Sequence, residues 1–231
     1  MPDLIEQLVA RAERFAASGA APAPARLAAT VPLLRPGSVG PAGGVEVYLV
    51  RRAASMAFAA SMYAFPGGVV DPVDHAGAPP GGAADWAVRL GLPAAQARAV
   101  VRAALREVTE ETGVRLAAAD LAPWTRWVTP EFEPRRYDTY FFLAALPAGQ
   151  DPEDLGGEAD EVGWMRPADA LAELTAGRIA MLPPTSVTLR ELAGYGSVGA
   201  ALAAAADRDA ATPILPRAVR DADGTPRLIL T

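Results

Sequence analysis

Strand patterns and helix patterns alternate along most of this 231-residue chain, and no segment repeats another. The strand patterns are rich in β-branched and aromatic residues, whereas the helix patterns place apolar residues about every 3.6 positions. Strands are predicted at 27–34, 45–51, 125–130, 137–146 and 161–165, and a further strand enters a glycine turn within 61–74. Helices are predicted at 93–112, 167–175, 185–193 and 197–206, and a hairpin at 219–230. This interleaving predicts one mixed α/β domain, because separate all-helical and all-strand blocks are absent.

Two segments depart from this alternation. Residues 4–15 carry apolar side chains on one side of a helical period, and the Ala/Pro-rich stretch 16–26 after them is typical of a linker. We therefore expect an N-terminal helix and linker at 1–26 that packs on the domain or on a second subunit, and one domain at 27–231. Residues 75–92 contain two Pro–Gly clusters and no sustained period, which predicts a surface excursion rather than a core element.

The composition excludes several kinds of chemistry. The chain has no Cys, its only His is His75, and all 21 residues in the Lys+Arg count are Arg. Thiolate nucleophiles, Schiff bases, P-loop lysines and multi-histidine zinc sites are therefore excluded. Any hydrolytic chemistry must rest on carboxylates.

Charge and hydropathy limit the partners. The net charge of −6 argues against a nucleic acid polymer as partner, because such binding needs cationic patches. No apolar run reaches the roughly 18 residues that a membrane span requires. We expect a soluble, cytoplasmic protein whose partner is a small molecule.

The helix predicted at 93–112 carries an unusual acidic stripe. Its buried face comprises Val101, Ala104, Leu105, Val108 and Thr112. Glu107, Glu110 and Glu111 lie at i, i+3 and i+4 beside that face, where each like-charged pair costs roughly 0.2 to 0.5 kcal/mol. Arg106 offsets only part of this repulsion. The stripe is either a solvated acidic face or a site for Mg²⁺ or Mn²⁺, which prefer hard oxygen ligands.

The residues around this stripe carry a family resemblance. The run REVTEETGV at 106–114 resembles the second half of the Nudix box, R-E-U-x-E-E-x-G-U with U aliphatic. The run FPGG at 65–68 is similar to the entry to the first half, G-x5-E, and places Asp74 at the position of its acid. The family has seven residues between that acid and the arginine, but here the stretch 75–105 intervenes. An insertion at about 75–97 thus splits the box, as in a subgroup that includes peroxisomal coenzyme A diphosphatases.

The resemblance implies a Nudix-type α/β/α sandwich with a mixed β-sheet and a hydrolase dependent on Mg²⁺ or Mn²⁺. Glu107, Glu110 and Glu111 would bind the metal, and Arg106 would orient them. The general base would be Glu107 or an acid of a later segment, of which Glu161 is preferred. The other available acids are Glu131, Glu133 and Glu158.

The substrate implied is a nucleoside diphosphate derivative. Coenzyme A or acyl-coenzyme A is the first candidate, and its cleavage would give 3′,5′-ADP and 4′-phosphopantetheine. ADP-ribose, a dinucleotide or a nucleotide sugar remain alternatives, as does a non-catalytic nucleotide sensor. The candidate substrate-binding residues are Arg51, Phe58, Gly67, Gly68, Arg135 and Arg136. Coenzyme A-specific relatives have an Arg and a Gly near Phe58, where this chain has Ala57 and Ser61. A homodimer is a further possibility.

Overall fold

The computed structural model describes residues 2–37, 44–54, 60–76, 85–155, 157 and 159–230. Within them, the α-helices are α1 Pro2–Ser18, α2 Trp86–Leu90, α3 Ala94–Thr112, α4 Pro167–Thr175, α5 Pro183–Leu192 and α6 Val198–Ala204. The strands are β1 Arg26–Thr30, β2 Leu33–Pro36, β3 Val45–Arg52, β4 Tyr63–Ala64, β5 Gly67–Val69, β6 Ala122–Val128, β7 Tyr137–Ala145, β8 Ala159–Met165, β9 Pro213–Ile214, β10 Pro216–Arg220 and β11 Pro226–Leu230.

Nine of these strands form one mixed sheet. Strand β7 lies at its centre, because it pairs in parallel with β1 and β2 and antiparallel with β6. Strand β5 pairs antiparallel with β1, while β3 pairs antiparallel with β2, β4 and β8. The predicted mixed sheet is confirmed.

The strands bury alternate residues on opposite faces of the sheet. Tyr140 and Phe142 of β7 belong to a core that contains α2 and α3, whereas Phe141 and Leu143 belong to a second core with α4, α5 and α6. This period of two is expected where both faces of a sheet are covered. The result is the predicted three-layer α/β/α arrangement, with α3 on one face.

The strand predicted at 27–34 is divided in two. Strand β1 ends at Thr30 and β2 begins at Leu33, on either side of Val31 and Pro32. Proline has no backbone N–H for the ladder, so the chain changes partners there, from β5 beside β1 to β3 beside β2. The sequence also predicts that a turn at 36–44 joins the strands predicted at 27–34 and 45–51, but residues 38–43 lie outside the described residues.

Capping residues define two of the helix boundaries. Gly113 ends α3 with a φ of 71°, and the Ser197 hydroxyl accepts a hydrogen bond from the Ala200 N–H at the start of α6, which agrees with the helices predicted at 93–112 and 197–206. For the helix predicted at 185–193, the sequence offers Thr185 or Ser186 as the cap, and this prediction is wrong because α5 begins at Pro183. Proline suits the first helical turn, where its missing N–H has no intrahelical partner.

The excursion predicted at 75–92 is partly wrong. Its last part forms α2, in which Trp86 and Leu90 are buried in the core beside α3. Trp86 makes an edge-to-face contact with Phe142 at 6.1 Å between ring centroids. The Asp85 side chain caps the start of the helix and Gly91 ends it in the left-handed conformation. A helix of five residues is too short to show a helical period in the sequence, so the pattern did not predict it.

Helix α1 contains the predicted N-terminal helix and packs against the β10–β11 hairpin. Arg220 of that hairpin forms ion pairs with Glu6 and Glu13. At its other side, Arg11 pairs with Glu133 at 2.6 Å. The helix therefore packs on its own chain. In the part of the chain that the structure describes, none of the helices combines the length and apolar character needed to cross a bilayer.

Leu90→Ala should lower the free energy of unfolding by about 3 kcal/mol, because it removes a fully buried side chain from the core beside α3. Val88→Ala in the same helix is the control, since Val88 is 73% exposed and its change should stay within about 0.5 kcal/mol. Urea unfolding measures both. Equal, small effects would contradict the assignment of α2 to the core.

Candidate active site

The β5 strand lies against the carboxylates of α3, and its two glycines leave room for close approach. The Gly67 N–H donates a hydrogen bond to Glu111 Oε2 at 3.0 Å. A Cβ at Gly68 would collide with the Glu107 carboxylate, and one at Gly67 would collide with the backbone of β1. The two glycines therefore bring the backbone against two of the three predicted metal ligands.

Arg106 connects the carboxylates of α3 to the turn after β5. Its Nη1 donates to Glu107 Oε1 at 2.8 Å and to Glu110 Oε2 at 3.0 Å. Its Nε and Nη2 form a fork on Asp74, at 3.1 Å to Oδ1 and 2.9 Å to Oδ2. Nη2 also donates to the Val69 carbonyl at 3.0 Å. Such a fork fixes the plane of the guanidinium as well as its position.

Asp74 is 3% exposed, which makes it the most deeply buried acid of the site. It lies in the 3₁₀ helix Pro72–His75, and its Oδ2 also accepts the Asp71 N–H at 2.9 Å. A buried carboxylate needs such partners, because desolvating an unpaired charge costs several kcal/mol. Asp74 and Arg106 thus satisfy each other inside the protein.

The charged groups of the site differ in their burial and in their hydrogen-bond partners. Hydrogen bonding to Asp74, followed by that to Glu107, raises the pKa of Arg106 against the opposing effect of burial, so its charge is permanent. Burial raises the pKa of the Glu107 carboxyl, and the Arg106 hydrogen bond only partly offsets this. Because this pKa is higher in the folded than in the unfolded chain, Glu107 adds to the free energy of unfolding at low pH. The contribution is lost as the pH rises through the pKa of Glu107 in the folded protein. The Glu110 side chain is 58% exposed.

The donor set suits a hard divalent cation. Three carboxylates lie within about one helical turn, and the positively charged Nη1 of Arg106 already sits between two of them. Glu111 turns instead to the Gly67 N–H. Among the residues that the structure describes, no three acids or histidines are gathered closely enough to hold a metal as they stand. Metal binding at this stripe would therefore require these side chains to turn towards one another.

Arg51 and Glu161 lie together, but on the other face of the sheet. They are cross-strand partners in β3 and β8, joined by a hydrogen bond of 3.3 Å. Arg51 also lies opposite Tyr63 of β4, a member of the core beside α4 and α5. Burial, followed by a hydrogen bond between its hydroxyl and Glu161, raises the pKa of Tyr63. Since residues directly opposite share a face, the structure does not bring Glu161 to the carboxylates of α3.

Two charged residues of the loop between β6 and β7 bond within the protein. Arg136 donates to the Ala23 carbonyl at 2.8 Å and to the Thr129 carbonyl at 3.1 Å, so it fastens the linker to the loop. Glu133 is paired with Arg11. Glu131 and Arg135 are exposed. The two remaining candidates, Phe58 and Glu158, lie outside the described residues.

Sequence reasoning placed Asp74 at a position of the box but missed its burial and its fork on Arg106. The signal available was the short run Asp71 to Asp74, in which a proline follows the first acid. That pattern is typical of a capped turn, in which acids bond to nearby backbone N–H groups. The link to Arg106 joins residues 32 positions apart and has no local signature.

Comparison with known proteins agrees with this geometry. The model of the NUDIX domain matches residues 24–183, well over half of the chain. A crystal structure of a Nudix hydrolase from Alicyclobacillus acidocaldarius superposes with a TM-score of 0.64 and 26% identity, covering 78% of this chain and 96% of that one. The chain therefore belongs to the NUDIX domain family.

Two curated relatives match over smaller shares of both chains. Nudix hydrolase 7 of Caenorhabditis elegans is 25% identical over 64% of this chain and 55% of its own length. Acyl-coenzyme A diphosphatase NUDT19 of Xenopus laevis is 29% identical over 34% of this chain and 22% of its own. The chain thus spans about half, or less, of the curated relatives it matches. The interrupted box and its likeness to coenzyme A diphosphatases stay predictions.

Asp74→Asn should destabilise the protein by about 3 kcal/mol, because it leaves the Arg106 guanidinium without its buried counter-charge. Asp71→Asn is the matched control: Asp71 is 46% exposed and lies 3.9 Å from the same guanidinium, so its loss should cost less than about 0.5 kcal/mol. Chemical unfolding at neutral pH gives both values. Similar losses for the two variants would show that the buried fork does not hold the site.

Proposed function

We propose that this chain is a divalent-metal-dependent hydrolase of a diphosphate bond in a nucleoside diphosphate derivative. The observation that carries the proposal is the Arg106 guanidinium shared by Glu107 and Glu110 beside the Gly67–Gly68 backbone. Membership of the NUDIX family supports it. A structural acidic face would have no need for a buried aspartate to hold the arginine among the carboxylates.

Glu107, Glu110 and Glu111 are the residues that would hold Mg²⁺ or Mn²⁺. Such an ion, when bound, neutralises nonbridging phosphate oxygens and makes a bound water a better nucleophile. Arg106 keeps Glu107 and Glu110 on one side of α3 through its two hydrogen bonds. Gly68 leaves the space that the Glu107 carboxylate fills.

Glu107 is our first candidate for the group that accepts the proton from water. Its pKa is raised by burial, which brings a carboxylate closer to the neutral range in which general bases work best. Glu161 stays a second candidate, although its pairing with Arg51 holds it at the other face of the sheet. Glu161→Gln separates the two, since a general base cannot be replaced by an amide.

Coenzyme A or acyl-coenzyme A is the substrate we propose first. Cleavage of its diphosphate would give 3′,5′-ADP and 4′-phosphopantetheine or its acyl form. The support is the partial similarity to a relative named as an acyl-coenzyme A diphosphatase. Arg51 and Arg135 stay candidates for contacts with the substrate. A cytoplasmic location and a homodimer also stay predictions.

A panel of diphosphates tests this proposal. The full chain is incubated with coenzyme A, ADP-ribose, a dinucleotide or a nucleotide sugar in Mg²⁺ or Mn²⁺, and the products are read by mass spectrometry. We expect 3′,5′-ADP from coenzyme A, and turnover that falls by orders of magnitude in Glu110→Gln and Glu111→Gln, because a neutral amide is a poor ligand for these ions.

Glu173→Gln controls for the loss of one surface carboxylate, since Glu173 pairs only with Arg178 in the contacts of the described chain. It should leave turnover unchanged. Cleavage of ADP-ribose or a sugar nucleotide alone would reject coenzyme A as substrate but keep the diphosphatase. Nucleotide binding without any cleavage would reject the enzyme and favour a sensor.

A further inference from the structure

Helix α3 holds Asp74 at two points, through its side chain and through its backbone. The Asp74 carboxylate accepts the fork of hydrogen bonds from Arg106. The Asp74 carbonyl accepts a hydrogen bond from Nη1 of Arg102 at 3.1 Å, and the same Nη1 donates to the Ala76 carbonyl. Arg102 and Arg106 are four positions apart, so they lie on the same face of α3. Two arginines of one helix face therefore hold one short turn.

The carbonyls that bond to Arg102 lie where the 3₁₀ helix Pro72–His75 ends. The last carbonyls of a helix have no partner within it, and arginine side chains are well suited to bind them. Arg102 is half-buried, which places this contact inside the protein rather than on a solvated surface. Because one nitrogen bonds to two carbonyls, the backbone of the turn cannot rotate away from α3 without losing both hydrogen bonds.

The turn is a small rigid unit whose direction depends on its contacts with α3. The Asp71 N–H donates to Asp74 Oδ2 at 2.9 Å, and the Asp74 N–H donates to the Asp71 carbonyl at 2.9 Å. Asp74 and Arg106 are 32 positions apart. The chain between them closes a long loop, which restrains the direction of the turn only weakly. With the fork alone, the turn could pivot about the Asp74 carboxylate, whereas the bonds to Arg102 fix a second point.

We propose that Arg102 is a positioning residue of the active site that acts through Asp74. By holding the backbone of the turn, it aims the Asp74 carboxylate at Arg106. Arg106 is thereby kept in place with its Nη1 between Glu107 and Glu110. The consequence for turnover rests on the proposed hydrolase function, whereas the effect on the Asp74–Arg106 fork can be measured without it.

Arg102→Gln tests the inference, because it removes the guanidinium and shortens the side chain. The Arg106 Nε–H donates to Asp74 Oδ1, so it should exchange slowly with water and give its own signal in nuclear magnetic resonance spectra of the ¹⁵N-labelled full chain. Arg106→Lys identifies that signal by deleting it. We expect exchange about tenfold faster in Arg102→Gln, the effect of losing hydrogen bonds from a charged group.

Arg98→Gln is the matched control. Arg98 lies one turn earlier on α3 and is also half-buried. In the described chain, the side-chain bonds from α3 to the turn come from Arg102 and Arg106 and not from Arg98. Its loss should leave the exchange of the Arg106 Nε–H unchanged. Leu90→Ala controls for lower stability, since it weakens the core without touching the turn.

Turnover gives a second measurement, on the diphosphate that the wild-type chain cleaves. Arg102→Gln should lower kcat about tenfold and leave KM within about twofold, because it misplaces groups that act on the reacting bond and removes no contact with the substrate. A purely structural role would lower the melting temperature and leave kcat of the folded protein unchanged. Arg98→Gln and Leu90→Ala should keep the wild-type kcat at a temperature at which both are folded.

Unchanged exchange of the Arg106 Nε–H in Arg102→Gln would overturn the inference. Equal acceleration in Arg98→Gln or Leu90→Ala would overturn it as well, since the effect would then come from lost charge or lost stability. A fall in kcat without faster exchange would show that Arg102 does not act through the fork. If the wild-type chain cleaves none of the diphosphates, the proposed function fails, and the exchange measurement still decides whether Arg102 holds Asp74 on Arg106.

Discussion

The buried pair of Asp74 and Arg106 is the interaction on which the site depends. The fork holds the guanidinium from one side, and the Glu107 and Glu110 carboxylates take its remaining Nη1 donor on the other. Without this cation, three like charges within about one turn of α3 would repel one another. With it, Glu107 and Glu110 stay close together on one side of the helix.

The sheet delivers the other half of the site. Strand β5 pairs with β1, which pairs with the central β7, and this chain of ladders fixes Gly67 and Gly68 beside α3. Because the two glycines have no side chains, the backbone of β5 can lie in contact with the carboxylates of α3. The site is thus built at one edge of the sheet from a rigid strand and a rigid helix. Pairing within secondary structure is more exact than loop placement, which suits chemistry that depends on the geometry of oxygens.

Much of the fold could be predicted from the sequence, because the hydrophobic period of long segments such as α3 and β7 indicates whether they are helices or strands. Short elements could not: α2 has five residues, and its burial depends on Phe142, far along the chain. At the site, the acidic stripe could be predicted because its three glutamates recur at helical spacing along α3. The face on which Glu161 lies and the burial of Asp74 were not, since strand register and long-range pairing decide them.

The central claim is that Glu107, Glu110 and Glu111 together bind a divalent ion. Anomalous diffraction at the manganese edge, from crystals soaked in Mn²⁺, tests it most directly. The account predicts a peak beside α3 with oxygens of these residues around it and Glu111 turned towards the ion. Carboxylates that remain on Arg106 and Gly67 in saturating Mn²⁺, with no peak between them, would contradict it.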